Sequence, residues 1–391
     1  MNNNIAKNIT KIIKNKFIRN CKFYLHEPSF NKNDQKNVND CIKSTFVSTV
    51  GNYATLFEKK LSKITKSKHV ISTVNGTSAL HAILKIVKVN KDDEVLVPSL
   101  TFVGTANAIK YCNASPNFID ASTKTFGVDP IKLEKYLKKI CKIKNNMCFN
   151  KITKKYIKAL ICVHVFGHPA EIDKISKICK KYKLILIEDA AEAIGSYYKN
   201  KHLGTFGDFG MLSFNGNKII TTGAGGAILT NNKKLYEKLL KLVSINKEKH
   251  KFEYYYKSVG FNYKMPSLNA ALGLDQLNRL DKIIIKKRKI FELYSDMFSE
   301  IENIKVLKEP INSKSNYWLN TLILDKKHMK SKNKIINNLI ENNFFCRPLW
   351  FPLHLSPQFK KYSRDNLNVT VDLYNRSINL PSSIDLLNRF K

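Results

Sequence analysis

No apolar run in the chain approaches the roughly 18 residues that a membrane span needs. The opening MNNNIAKNITKIIKNKFIRN is basic, with neither a continuous apolar block nor a small-residue cleavage site. It does not read as a secretory signal, and the expected location is the cytoplasm. The eight cysteines (21, 41, 112, 141, 148, 162, 179, 346) include no C-x-x-C pair and no histidine at zinc spacing. They are expected to be reduced, structural thiols, with no disulfide and no metal site. Internal repeats are lacking as well, which excludes a solenoid.

Acidic residues are scarce. Against 67 Lys and Arg stand 31 Asp and Glu, a net charge of +36. Such a balance invites a nucleic-acid reading. The lysines, however, are spread along the whole chain rather than gathered in one stripe, and an excess of Asn and Ile accompanies them. That pattern fits a compositional bias of the source genome at solvent-facing positions, although a basic field also favours capture of an anionic substrate. With 391 residues, 43% hydrophobic and 25% charged, the chain is long enough for a large core and a second, smaller unit.

Periodicity supplies the architecture. Residues 1–50 read as an arm with a short helix near 34–44. From there strands and helices alternate: helix 78–89, strand 94–98, helix 102–112, strand 116–120, helix 129–140, strand 157–166, helix 171–182, strand 184–189. Short apolar strands separated by helices argue for a largely parallel sheet covered on both faces. The Lys/Asn-rich stretch 141–155 has no clear period and is expected to be an exposed excursion. Closely spaced strands at 208–214 and 226–230 follow, then a helix at 232–243. A long helical run at 266–298, with a break allowed, bridges to an α+β remainder with a strand at 318–325 and a helix near 331–342. The expected division is an arm (1–50), a large α/β domain (51–265), and a linking helix with a small C-terminal domain (266–391).

Three fragments carry chemistry. In STVNGTSALHAIL, Gly76 precedes Thr77 and Ser78 at the start of a helix. That arrangement suits a phosphate, and equally suits plain N-capping. In LILIEDAAEAIGS a strand ends at Glu188–Asp189, the edge where open α/β sheets bind ligands. Asp189 there can pair with a cationic ring nitrogen or cap the next segment. In DFGMLSFNGNKIITTGAGGAILT, Ser213 and Lys218 sit between two apolar strands among glycines. A lysine in such surroundings is a candidate imine-forming amine, against the alternative of a surface lysine.

Together these fragments resemble the DegT/DnrJ/StrS family of pyridoxal-phosphate-dependent (PLP-dependent) sugar aminotransferases. Further matching stretches are FYLHEPSF, STFVSTVGNYATLFE, PSLTFVGTANAI, VHVFGHPAEID, GFNYKMPSLNAALGL, NYWLNTLIL and RPLWFPLHL. The LHEP and RPLWFPLH segments look closest to the LegC-like subgroup. The resemblance implies fold type I, with a large, mostly parallel-sheet domain and a smaller C-terminal α+β domain. It implies that Lys218 is the Schiff-base lysine and catalytic proton carrier, and that Asp189 pairs with the pyridine nitrogen. Phe102 stacks on the ring; Gly76, Thr77, Ser78 and Ser213 hold the phosphate. Asn262 reaches that phosphate from a neighbouring subunit, making a homodimer with a shared site.

Glu192 departs from the His or Gln that usually lies beside the ring, and Gly223-Ala224-Gly225-Gly226 replaces a Glu-Gly-Gly turn. The substrate candidates are His168, Trp318, Arg347 and His354, with an arginine suited to a diphosphate or a carboxylate. The implied reaction moves an amino group from L-glutamate to carbon 4 of a UDP-linked 4-keto-6-deoxy-N-acetylhexosamine. The route leads to legionaminic acid-like or other surface amino sugars. The alternatives are a GDP-perosamine-synthase-like or carbon-3 aminotransferase, or a non-catalytic regulatory member of the fold. A nucleic-acid binder is the rival from another class; neither nucleic acid nor membrane is expected as a partner.

Overall fold

The computed structural model describes residues 2–18, 21–248 and 250–390. Its centre is a nine-stranded sheet. Seven strands run in the order His69–Thr73, Gly226–Thr230, Phe209–Ser213, Ile185–Asp189, Tyr156–Val163, Asp93–Pro98, Ser115–Ile119. Along this path only Gly226–Thr230 is reversed, pairing antiparallel with both of its neighbours. The other neighbours pair in parallel. The inner strands are almost wholly buried, which is why they read as continuous apolar runs rather than as an alternation. Two buried clusters cover the two faces of the sheet.

Most of the expected elements fall within a few residues of their observed bounds, including the helices Pro130–Ile140 and Ile172–Lys181 and the strand Gly226–Thr230. The run 266–298 is broken at Arg279 into Ser267–Asn278 and Leu280–Phe298. The stretch 141–155 is not a free excursion. It forms a hairpin, Cys141–Lys144 with Met147–Asn150, docked on the sheet through Cys148↔Ile157 and Phe149↔Tyr156. Its turn is Asn145–Asn146, both at positive φ (52° and 56°), as a two-residue type I′ turn requires. The lysines occupy the exposed positions and hide the short alternation that buries Cys148 and Asn150.

A second, four-stranded antiparallel sheet has the order Ile304–Val306, Asn320–Leu324, Ser377–Leu380, Arg347–Pro348. The helix Asn2–Lys16 belongs to its core. Ile5, Ala6, Ile9 and Ile13, with Phe17, are buried in one cluster with Leu322, Leu339, Phe344 and Ile378. Lys7, Lys11 and Lys14 line a groove on the outer side.

One buried carboxylate locks the central strand in place. Glu188 accepts hydrogen bonds from the amides of Gly204 (2.9 Å), Phe206 (2.6 Å) and Gly207 (2.7 Å), and lies 3.0 Å from His164 Nε2. Burial alone raises such a carboxyl; the His164 ring and the loop amides outweigh it and hold Glu188 below the ordinary value of 4.5. A depressed folded pKa contributes stability above the unfolded value and loses it as pH falls through the folded one. The protein is therefore expected to lose this contribution below about pH 4.5. Glu188→Gln is expected to cost about 3 kcal/mol at neutral pH. It should also flatten the acid limb of stability, as read from urea unfolding at two pH values. An unchanged acid limb would count against this account.

Candidate active site

The parallel strands end on one side of the sheet, and a cleft of about 340 Å³ opens there. Its floor is built from strand ends and the residues that follow them: Val163, Asp189 and Ser213, with Thr101 and Phe102 after a fourth strand. This is where an open α/β sheet offers free backbone and side chains to a ligand.

Asp189 is the last residue of Ile185–Asp189 and is buried. Its carboxylate accepts from Thr105 Oγ1 at 2.8 Å and from the Ala191 amide at 3.2 Å. Burial pushes the group above the ordinary carboxylate value, against the opposing pull of Thr105, Ala191 and Lys218. Such a carboxylate gains from a cationic partner inside the cleft.

Lys218 lies between the adjacent strands Phe209–Ser213 and Gly226–Thr230, in a tight turn in which its amide donates to Asn215 O at 2.9 Å. Its side chain is only 12% exposed. The amine sits 3.0 Å from Glu192 Oε1 and 3.7 Å from the centroid of the Trp318 ring. Trp318 comes from the small-sheet region and is anchored by its indole N–H on Asn217 O at 2.8 Å.

The helix Gly76–Ile86 begins at the same cleft, with Gly76 and Thr77 in the lining. The first N–H groups of a helix have no acceptor within it, so they are free for an anion. Asn75 caps the helix by accepting from the Ser78 amide at 2.8 Å. Ser78 itself is not in the lining. The glycines here answer to space: a Cβ on Gly76 would meet Met211 Sδ at 2.8 Å, and one on Gly226 would meet the Asn75 backbone at 2.5 Å. Phe102, 57% exposed, presents its ring to the cleft at the N-cap of Val103–Tyr111.

The structure thus brings together Gly76, Thr77, Phe102, Asp189, Glu192, Ser213, Lys218 and Trp318. Other expected residues lie elsewhere. His168 is buried, with neither ring nitrogen bonded, edge-on to Tyr317 at 5.1 Å. Burial pushes it down to about 4. His354 is buried beneath Ser99, with Nδ1 2.6 Å from the hydroxyl. Arg347 is exposed on the edge strand of the small sheet. Asn262 is exposed and bridges to Ser244, outside the lining of its own chain's cleft. Conversely, Thr105, Asn217 and Trp350 line the cleft and were not singled out in the sequence. For Trp350 a signal existed: the chain has two tryptophans, and both are here.

A largely shielded lysine, a buried carboxylate, an exposed aromatic face and a helix N-terminus in one cleft suit a phosphorylated aromatic aldehyde. The donor set fits PLP: an amine for the aldehyde, Asp189 for a ring nitrogen, Gly76 and Thr77 for a phosphate. Among the described residues no cluster of His, Cys, Asp and Glu can hold a metal, and no helix is long and apolar enough to cross a membrane.

The chain belongs to the DegT/DnrJ/EryC1/StrS aminotransferase family, which it matches over residues 28–389. It is a fold type I, PLP-dependent sugar aminotransferase. It is 35% identical over 365 residues to a GDP-perosamine synthase of Escherichia coli O157:H7, covering 93% of this chain and 94% of the relative. It is 28% identical to the UDP-4-amino-4,6-dideoxy-N-acetyl-beta-L-altrosamine transaminase of Helicobacter pylori, covering 93% of each. Among solved structures it resembles Helicobacter pylori PseC, an aminotransferase involved in the biosynthesis of pseudoaminic acid. The TM-score is 0.85 at 26% identity, over 94% of this chain and 97% of that one.

Proposed function

We propose that the chain transfers an amino group from L-glutamate to carbon 4 of a UDP-linked 4-keto-6-deoxy-N-acetylhexosamine, in the cytoplasm, as a homodimer. The observation that carries the reading is the convergence of Lys218, Asp189, Phe102 and the Gly76 helix N-terminus on one cleft. The relative named for a UDP-4-amino-4,6-dideoxy sugar supports carbon 4 and the nucleotide. The relatives named GDP-perosamine synthase, at 33–35% identity, favour a second reading with a GDP-linked sugar.

PLP, when bound, supplies an electron sink for the carbon that loses or gains a proton. Lys218 would hold the cofactor through its amine and, when free, would serve as the base that moves the proton. Asp189 would face the ring nitrogen and favour its protonated form. Phe102 would pack on the ring, and Gly76, Thr77 and Ser213 would seat the phosphate, with Ser78 outside the lining of the cleft. Trp318 faces the substrate side; His168, Arg347 and His354 are left to roles that do not touch the cleft of this chain. Asn262 is assigned to the neighbouring subunit's phosphate. The exposed Phe252, Tyr254 and Val259 on the same segment support burial against a second copy. Seven of the eight cysteines are buried free thiols, the setting of a reduced compartment.

The test offers UDP-, GDP- and dTDP-linked 4-keto-6-deoxy sugars with glutamate, identifying products by mass and NMR. A 4-amino product from the UDP sugar at the highest kcat/KM is expected. Preference for the GDP sugar moves the assignment to the second reading; a colourless protein that takes up no PLP sinks both.

A further inference from the structure

Glu192 stands 3.0 Å from the Lys218 amine through one oxygen, and its other oxygen accepts the Phe166 amide at 2.8 Å. The side chain is buried, 5% exposed. Phe166 holds a left-handed backbone (φ 55°, ψ 22°), an unfavourable state for a bulky side chain. Its ring is fully buried and lies 4.7 Å from Trp350 and 6.2 Å from Trp318, centroid to centroid. Both tryptophans line the cleft, and Trp318 also lies under the Lys218 amine. One carboxylate therefore touches the amine and the backbone that sets the aromatic wall.

We propose that Glu192 is a positioning residue, a two-ended clamp. One oxygen parks the free Lys218 ammonium against Trp318, and the other locks the strained Phe166 turn that builds the wall facing the substrate. The lysine half rests on the proposed cofactor role of Lys218. Strained backbone persists where surrounding contacts over-determine it, and a buried carboxylate accepting that amide is such a contact. The clamp needs both partners: without the Lys218 amine Glu192 would be an unpaired buried carboxyl, and burial already raises it above the usual carboxylate value. The other titratable groups facing the pair are Asp189, from the strand end beside it, and His26, from the N-terminal segment against Trp318. Asp189 is common to all the variants below. Burial, then Lys287 and Lys218, hold His26 well below its ordinary value, so it stays neutral at the pH used.

The experiment uses the full-length protein freed of cofactor, as wild type, Glu192→Gln and Glu192→Ala. Capture of PLP at Lys218 is fixed with borohydride, and its rate is followed by peptide mass at about pH 8. Glu192→Gln removes the ion pair that parks the amine against Trp318 and is therefore expected to capture about tenfold faster. Tryptophan emission, from two residues whose rings lie beside Phe166, reports the wall. Glu192→Gln keeps an oxygen for the Phe166 amide and is expected to retain the wild-type emission. Glu192→Ala is expected to shift it to longer wavelength. A purely structural Glu192 would leave the Gln variant capturing at the wild-type rate, and that result overturns the lysine half. Equal emission from the Ala and Gln variants overturns the Phe166 half. If wild type captures no PLP, the cofactor reading itself falls, while the emission comparison still judges the turn.

Discussion

Lys218→Ala is expected to yield a folded protein that makes no measurable amino sugar. A positioned base contributes about 10²–10⁴-fold by itself, and the proposed role also makes this residue the cofactor's anchor, so both losses fall on one substitution. Other amines are poorly placed to take over. Lys264 pairs with Glu58 at 3.0 Å, and Lys287 is buried on the carbonyls of Trp318 and Ser382, away from the lining. The fold should survive because Glu192, already raised by burial, can take up a proton once its partner is gone. Lys218→Arg separates charge from chemistry. It restores a cation beside Glu192 and should recover stability. Activity should stay lost, since a guanidinium does not give up its proton in this range. Single-turnover assays with glutamate and thermal unfolding read the two effects. Activity within tenfold of wild type in either variant would remove Lys218 from the reaction.

Much of this site was legible in the sequence because its parts sit at strand ends. Asp189 ends an apolar run, Lys218 falls between two such runs among glycines, and Gly76-Thr77 opens a helix just after the strand His69–Thr73. Local patterning reports where a chain turns, and in a parallel sheet the turns at one edge meet. What it does not report is which face a side chain takes once past the edge. His168 follows a strand end as plausibly as Asp189 does, yet its ring turns into the core beside Tyr317. His354 and Trp350 are four residues apart; Trp350 reaches the cleft, while His354 docks under Ser99. Those outcomes depend on contacts made across long sequence distances, such as the Trp318 indole on Asn217 O. The hairpin at Cys141–Asn150 escaped for a different reason. Its outward lysines and asparagines dominate the composition, and its buried positions are too few to show a period.

Asp189→Asn is expected to lower kcat by about 10²–10³-fold, the usual cost of removing one preorganised charge from a reacting centre. The substitution is nearly isosteric. Its carbonyl oxygen can still accept from the Ala191 amide, and its NH2, in place of the other oxygen, can donate to Thr105 Oγ1, whose hydroxyl can turn towards Thr101, so the strand end keeps its geometry. What disappears is the negative charge. In wild type the group is buried deeply enough that burial raises it, with Thr105, Ala191 and Lys218 pulling the other way. A pyridine nitrogen held against it has reason to stay protonated, because the proton offsets a charge that water cannot reach. An amide gives no such reason, and on the proposed mechanism the ring would then be a weaker electron sink. Cofactor retention should fall less than turnover, because the proposed contacts of Gly76, Thr77, Phe102 and Lys218, all in the cleft, are untouched. The absorbance of the bound cofactor, compared with kcat on the same preparation, separates the two. A variant that turns over within a few-fold of wild type with full cofactor would show that the ring nitrogen lies elsewhere. A variant that loses cofactor and turnover together would make Asp189 a binding residue and leave the electron-sink argument without its carboxylate.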